Sequence, residues 1–221
     1  MSNKALWNSV SKTDPRAVKP ITGKTYKGNS PKPYWLIERA TEEFGPIGIG
    51  WGVDVKSERF ERLGEFDVLH VAVVSVWYFR DGVRSQTFDQ MGGTKAAYMS
   101  SKGSLIVDED AGKKSVTDGM VKCLSMIGFA GDIFSGRWDD SKYVEETAAE
   151  FIAKERAAAR AEWLEEQALR LESSENLNEL GEVWKAIGRV VKAEDDQDAL
   201  QTLEPIKDRM KAAISPQGAK A

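Results

Sequence analysis

The sequence predicts an α+β fold: a three-stranded antiparallel sheet packed on a long helix (a β-β-β-α core), followed by a helical C-terminal region. Two patterns predict the sheet. Residues 68–79 are rich in β-branched and aromatic side chains, and the Asp81-Gly82 pair that follows them is a strong hairpin signal. A third pattern predicts the C-terminal helices, because Ala, Glu, Arg and Leu dominate residues 143–171.

The other core elements follow from apolar spacing and from the positions of glycine and proline. Residues 34–44 carry apolar side chains three and four positions apart, which predicts a helix that Gly45-Pro46 ends. From Ile47 onward, bulky residues alternate with glycine, which predicts a strand. The predicted elements are a helix at 34–44, strands at 47–55, 68–79 and 83–91, a glycine- and serine-rich connection at 92–103, and a helix at 111–127.

Composition divides the chain into regions of different charge. Residues 1–138 carry 19 Lys+Arg and 16 Asp+Glu, whereas residues 139–221 carry 12 and 19. The regions are a basic arm at 1–33, the core at 34–138, a connecting helix at 139–171, a small acidic helical module at 172–214 and a disordered tail at 215–221. The arm predicts a surface for a polyanion, with a solvated arm that binds nothing as the alternative.

The residues that enzyme chemistry needs are scarce. One cysteine (Cys123) and one histidine (His70) cannot form a Cys/His zinc site, and both fall in patterns typical of a packed core. Residues 21–25 end like a phosphate loop but lack its first glycine and its preceding strand. The acidic runs 108–110 and 139–140 are typical of helix starts, with a metal-dependent nuclease as the alternative. We therefore expect no enzyme activity and no cofactor.

The longest apolar run, residues 71–77, is broken by Ser75 and is far shorter than the roughly 18 residues of a membrane span. The N-terminal residues lack the continuous apolar segment of a secretory signal. We therefore expect a cytoplasmic protein with no membrane partner.

Basic residues next to aromatic residues and glycine form the remaining pattern. Lysines neutralise phosphates, and aromatic rings stack on exposed bases. Tyr34, Trp35 and Trp51 are equally typical of a core, so the prediction rests on the lysines. The candidate DNA-binding residues are Lys24, Lys27, Lys32, Lys95, Lys102, Lys113, Lys114 and Lys122.

Several segments of the chain, in the order in which they occur, resemble those of phage single-strand annealing proteins of the Rad-fifty-two superfamily. The resemblance covers about residues 24–137. It lies in residues 29–45 with Gly50-Trp51, in the hairpin 77–89 followed by Gly92-Gly93-Thr94, and most specifically in residues 111–128. That last segment contains Lys-x-x-x-Thr-Asp-Gly and then an apolar repeat that ends in glycine.

The resemblance implies ATP-independent annealing of complementary single DNA strands in recombination and repair, by a ring or helical filament with a basic groove. It implies that Lys122 lines the groove, whereas Val121 departs from a Lys-Arg pair of the eukaryotic relative. It also implies basic contacts before the sheet (Lys24, Lys27, Lys32) and a second, outer contact at Lys95 and Lys102. The acidic module is expected to keep a neighbouring groove clear, or to dock a host single-strand binding protein or an exonuclease.

Two further functions stay open. A monomeric nucleic-acid binding module would share the basic patch without annealing strands. An adaptor would work through its helical C-terminal half and would bind no DNA.

Overall fold

The structure is a computed structural model that describes residues 3–22 and 27–215. It divides into two compact units, Met1–Ala148 and Ala149–Ala221. The helices are α1 (Ala5–Val10), α2 (Pro33–Phe44), α3 (Ala111–Met126), α4 (Gly131–Phe134), α5 (Ser141–Glu172), α6 (Leu177–Glu194) and α7 (Gln197–Ile214). The strands are β1 (Val18–Pro20), β2 (Asn29–Pro31), β3 (Trp51–Arg62), β4 (Val68–Arg80), β5 (Val83–Arg84), β6 (Phe88–Met99) and β7 (Leu105–Val107).

The α+β class is as expected, but the prediction of a three-stranded sheet is wrong. The main sheet has the antiparallel order β3-β4-β6-β7, with the short β5 also paired to β4, and β1 and β2 form a separate two-stranded hairpin. The Asp81-Gly82 turn is where it was predicted. Both residues have positive φ, 51° and 75°, as the tight hairpin turns that match strand twist require.

The error arose at Gly92 and Gly93, which were interpreted as the start of a connection. They lie inside β6, which continues to Met99 before β7 returns. A Cβ atom at Gly92 would lie 1.8 Å from the carbonyl oxygen of Ser115 on α3. This glycine therefore allows α3 to pack closely on β6 and does not end the strand.

The first predicted strand, 47–55, also has different bounds, because residues 47–50 form a turn and β3 runs from Trp51 to Arg62. Gly50, one of the alternating glycines, allows the backbone to approach the end of α2 closely. A Cβ atom there would lie 1.7 Å from the carbonyl oxygen of Phe44. The exposed, polar second half of β3 carries no alternation of apolar residues, so its pattern did not predict a strand.

The long helix α3 lies directly on β4 and β6 through small residues. A Cβ atom at Gly119 would lie 2.6 Å from the Val74 side chain, and the Ser115 hydroxyl donates to the His70 carbonyl oxygen at 3.0 Å. Cys123 is fully buried in the same contact, as predicted. Since one face of α3 is fixed against the sheet, its opposite face is presented outward.

The N-terminal segment folds against the core of the first unit. Val10 and Thr13 are fully buried, and the Lys32 N–H donates to the Ala17 carbonyl oxygen at 2.7 Å, which continues the β1–β2 pairing. Helix α2 also packs on this core, through Leu36, Ala40 and Phe44. The β1–β2 hairpin is thereby held in a defined position; residues 23–26 lie outside the described residues.

The second unit is helical and has a core of its own. Leu180, Ile187 and Val191 of α6 pack with Ala199 and Leu203 of α7. Residues 216–221, most of the tail predicted to be disordered, lie outside the described residues. Within residues 3–22 and 27–215, none of the helices combines the length and apolar character that crossing a membrane would require.

Candidate nucleic-acid interface

A groove between the β1–β2 hairpin and α3 brings together basic side chains that lie far apart in the sequence. This α3 groove encloses about 490 Å³. Its lining includes Lys19, Ser30 and Pro31 from the hairpin side and Lys113, Lys114 and Asp118 from the helix side. Three lysines thus face one open groove.

Local structure explains why these side chains point into the groove. Lys19 lies directly opposite Ser30 in the hairpin, whereas the preceding Val18 packs on the core, as expected for alternating strand positions. On α3, Lys114 and Asp118 are four residues apart and therefore share one face. Ser115 and Gly119 hold the other face against the sheet.

Each helix lysine of the groove is paired with a carboxylate. Lys113 Nζ lies 2.9 Å from Asp110 Oδ1, and Lys114 Nζ lies 2.6 Å from Asp108 Oδ2. These hydrogen bonds raise the pKa of both lysines and lower the pKa of Asp110. The side chains are well exposed, 85% for Lys113 and 55% for Lys114. Both ammonium groups are therefore charged and reachable from solvent, but each already has a partner.

Of the eight lysines predicted from the sequence, the structure brings two, Lys113 and Lys114, into the α3 groove. Lys122 does not line it. Its Nζ donates instead to Asp118 Oδ2 at 2.8 Å and to the Met91 carbonyl oxygen at 3.1 Å. Lys122 therefore clamps α3 to β6.

The other predicted lysines are spread over the first unit. Lys32 lines a second cavity, described below. Lys95 lies on β6, 3.6 Å from Asp67 Oδ1, with its Nζ 5.3 Å from the centre of the Tyr98 ring. Lys102 is exposed in the turn between β6 and β7, and Lys27 is exposed just before β2. Lys24 lies outside the described residues.

Among the three lysines that line the groove, Lys19 is the one that was not predicted from the sequence. It was counted in the basic arm, but the four prolines of residues 1–33 suggested an irregular segment with no fixed side-chain directions. The available signal was the step from apolar Val18 to charged Lys19, which is typical of a strand with one buried face.

The histidine and the acidic residues considered for catalysis lie where they serve packing or the start of a helix. His70 is 2% exposed in β4, with its Nε2 3.6 Å from Glu58 Oε2. Asp108 and Asp140 accept backbone N–H groups at helix starts. Across residues 3–22 and 27–215, no group of three or more His, Cys, Asp or Glu side chains is arranged to hold a metal ion.

Comparison with known proteins assigns the chain to no family. The chain matches no protein-family model, and no curated protein sequence resembles it significantly.

Proposed function

We propose that this chain binds single-stranded DNA through the α3 groove and anneals complementary strands without ATP. The observation that supports the proposal is the meeting of Lys19 with Lys113 and Lys114 across one open groove. Lysines on two walls can contact the phosphates of one strand from both sides, and such contacts bind the backbone without reading its sequence.

Annealing needs no nucleophile, metal or nucleotide from the protein. A strand held by its phosphates keeps its bases free to test a second strand, and base pairing supplies the free energy. We further propose that the chain acts in the cytoplasm as a ring or filament of identical copies. In this proposal, the acidic C-terminal module docks a host single-strand binding protein or an exonuclease.

The experiment is annealing of two complementary labelled oligonucleotides, without ATP and with EDTA present. We expect the protein to pair them faster than they pair alone, and the rate to fall as salt rises, because salt screens phosphate contacts. Binding without faster pairing would leave a binding module and refute annealing. Absence of salt-dependent binding would refute the whole proposal and leave the adaptor function.

The carboxylate of Asp110, which pairs with Lys113, leads to a specific prediction about DNA affinity. Asp110 precedes α3 but makes no side-chain capping hydrogen bond, so Asp110→Asn removes one competing charge without removing a cap. We expect the variant to bind a single-stranded oligonucleotide about two- to fivefold more tightly, in the range of an exposed ion pair. The matched control is Asp81→Asn at the hairpin turn, which removes the same charge. Equal affinities of the two variants would contradict a direct role for Asp110.

A further inference from the structure

A second cavity lies next to the α3 groove and is lined by an unusually exposed aromatic ring. Tyr34, the second residue of α2, is 85% exposed. From the sequence, Tyr34 was interpreted together with Trp35 and Trp51 as typical of a core. Trp51 is fully buried and Trp35 packs against the core, so that interpretation fails for Tyr34 alone.

This Tyr34 cavity encloses about 510 Å³. Its apolar lining is formed by Ala17, Tyr34, Trp35 and Ile37, and Lys32 contributes a cation. The other charged groups that line it are Glu38 and the ion pair of Arg16 with Asp14, whose Nη2 and Oδ2 atoms are 2.8 Å apart. The cavity thus offers an apolar, aromatic surface with a lysine beside it.

The α3 groove and the Tyr34 cavity lie on the two sides of one short segment. Pro31 and Pro33 line the groove, whereas Lys32 and Tyr34 line the cavity. Consecutive Cα atoms are about 3.8 Å apart, so only the thickness of one chain segment separates the two surfaces. The α3 groove and the Tyr34 cavity are therefore neighbours along the segment 31–34.

We infer that Tyr34 is a stacking platform for an unpaired nucleobase of a strand whose phosphates occupy the α3 groove. This inference rests on the proposed function. Aromatic rings stack on every base because every base has a π-face, and the contact is open only to bases that are not enclosed in a duplex. Tyr34 thus adds a preference for single strands to a groove that otherwise recognises charge, and Lys32 neutralises a neighbouring phosphate.

The test separates bases from phosphates. A thymidine oligonucleotide and an abasic oligonucleotide of the same length, which has the same phosphates but no bases, are titrated against the full chain at equal salt. We expect Tyr34→Ala to bind the thymidine oligonucleotide about tenfold more weakly, within the range of one lost stacking contact, and to bind the abasic oligonucleotide as the wild type does. Tyr34→Phe keeps the ring and should match the wild type on both.

Three results would overturn the inference. An equal loss on both oligonucleotides would assign Tyr34 to the backbone or to folding, and no loss on either would remove it from the interface. A wild type that binds neither oligonucleotide would refute the proposed function together with the inference. If Tyr34→Ala affects only the thymidine oligonucleotide while annealing is absent, the stacking site stands and annealing alone fails. Because the ring is exposed, we expect the thermal unfolding of Tyr34→Ala to match that of the wild type.

Discussion

Replacing Asp132 with alanine is expected to lower the free energy of unfolding of the first unit by about 3 kcal/mol, in the range for loss of a buried, hydrogen-bonded charge. Asp132 is 3% exposed, and its carboxylate accepts four hydrogen bonds. The donors are the Thr13 hydroxyl at 2.6 Å, the Thr13 N–H at 2.9 Å, the Ile133 N–H at 2.8 Å and the Tyr143 hydroxyl at 3.0 Å. Alanine would remove the acceptor of both Thr13 donors and of the Tyr143 hydroxyl, whereas the Ile133 N–H also donates to the Ala130 carbonyl oxygen at 3.0 Å and keeps that partner.

Urea denaturation of the full chain, followed by near-ultraviolet circular dichroism, measures this loss. Asp81→Asn, at an exposed turn, is the control for removal of a carboxylate charge, because asparagine tolerates the positive φ of residue 81. Thr13→Ala should lose less than Asp132→Ala, because the backbone N–H of residue 13 remains a donor. A stability of Asp132→Ala within about 0.5 kcal/mol of wild type, the usual effect of a surface substitution, would contradict the role of this carboxylate.

Substituting Lys19, Lys113 and Lys114 together with glutamine is expected to weaken binding of single-stranded DNA at least about tenfold at low salt. Each lysine that contacts a phosphate contributes about 0.7 to the slope of log affinity against log salt for single strands, so the slope should become shallower by about 2. Fluorescence anisotropy at four salt concentrations gives both quantities.

The matched control removes three exposed lysines from the helical unit, Lys154, Lys185 and Lys192, and therefore has the same net charge. We expect its affinity and slope to stay close to those of the wild type. If both triple variants lose equal affinity, binding depends on overall charge and the α3 groove is not the site. A separate Lys122→Gln variant measures whether the clamp between α3 and β6 also contributes.

Much of the first unit could be predicted because local signals agreed with tertiary packing. The Asp81-Gly82 turn, the stop at Gly45 and the apolar face of α3 each depend on residues close in sequence. Gly92 was misread because its meaning lies in a contact with Ser115, 23 residues further along the chain. The sequence alone does not distinguish a glycine that lets a helix pack closely on a strand from a glycine that ends a strand.

The candidate site was predictable only in part, for a similar reason. The charge pattern and the predicted helix selected Lys113 and Lys114 as candidates, and both line the α3 groove. The sequence could not show that Lys19 lies across the groove from α3, because this depends on how the β1–β2 hairpin docks. Nor could it show that Tyr34 points outward, since its neighbours Trp35 and Leu36 both pack inward.

The hydrogen bonds between Thr13 and Asp132 also bear on the order of folding. They join residues 119 positions apart, whereas the β4–β6 pairing closes around a tight turn. Closing a long loop costs more chain entropy than closing a short one, and contacts distant in sequence form late. The N-terminal segment that contains Thr13 and leads into the β1–β2 hairpin should therefore dock after the sheet and α3 have formed and should be among the first parts to open. The amide hydrogens of residues 13–14 and 16–19 would then exchange faster than those of β4, and a ligand that spans the groove would slow them.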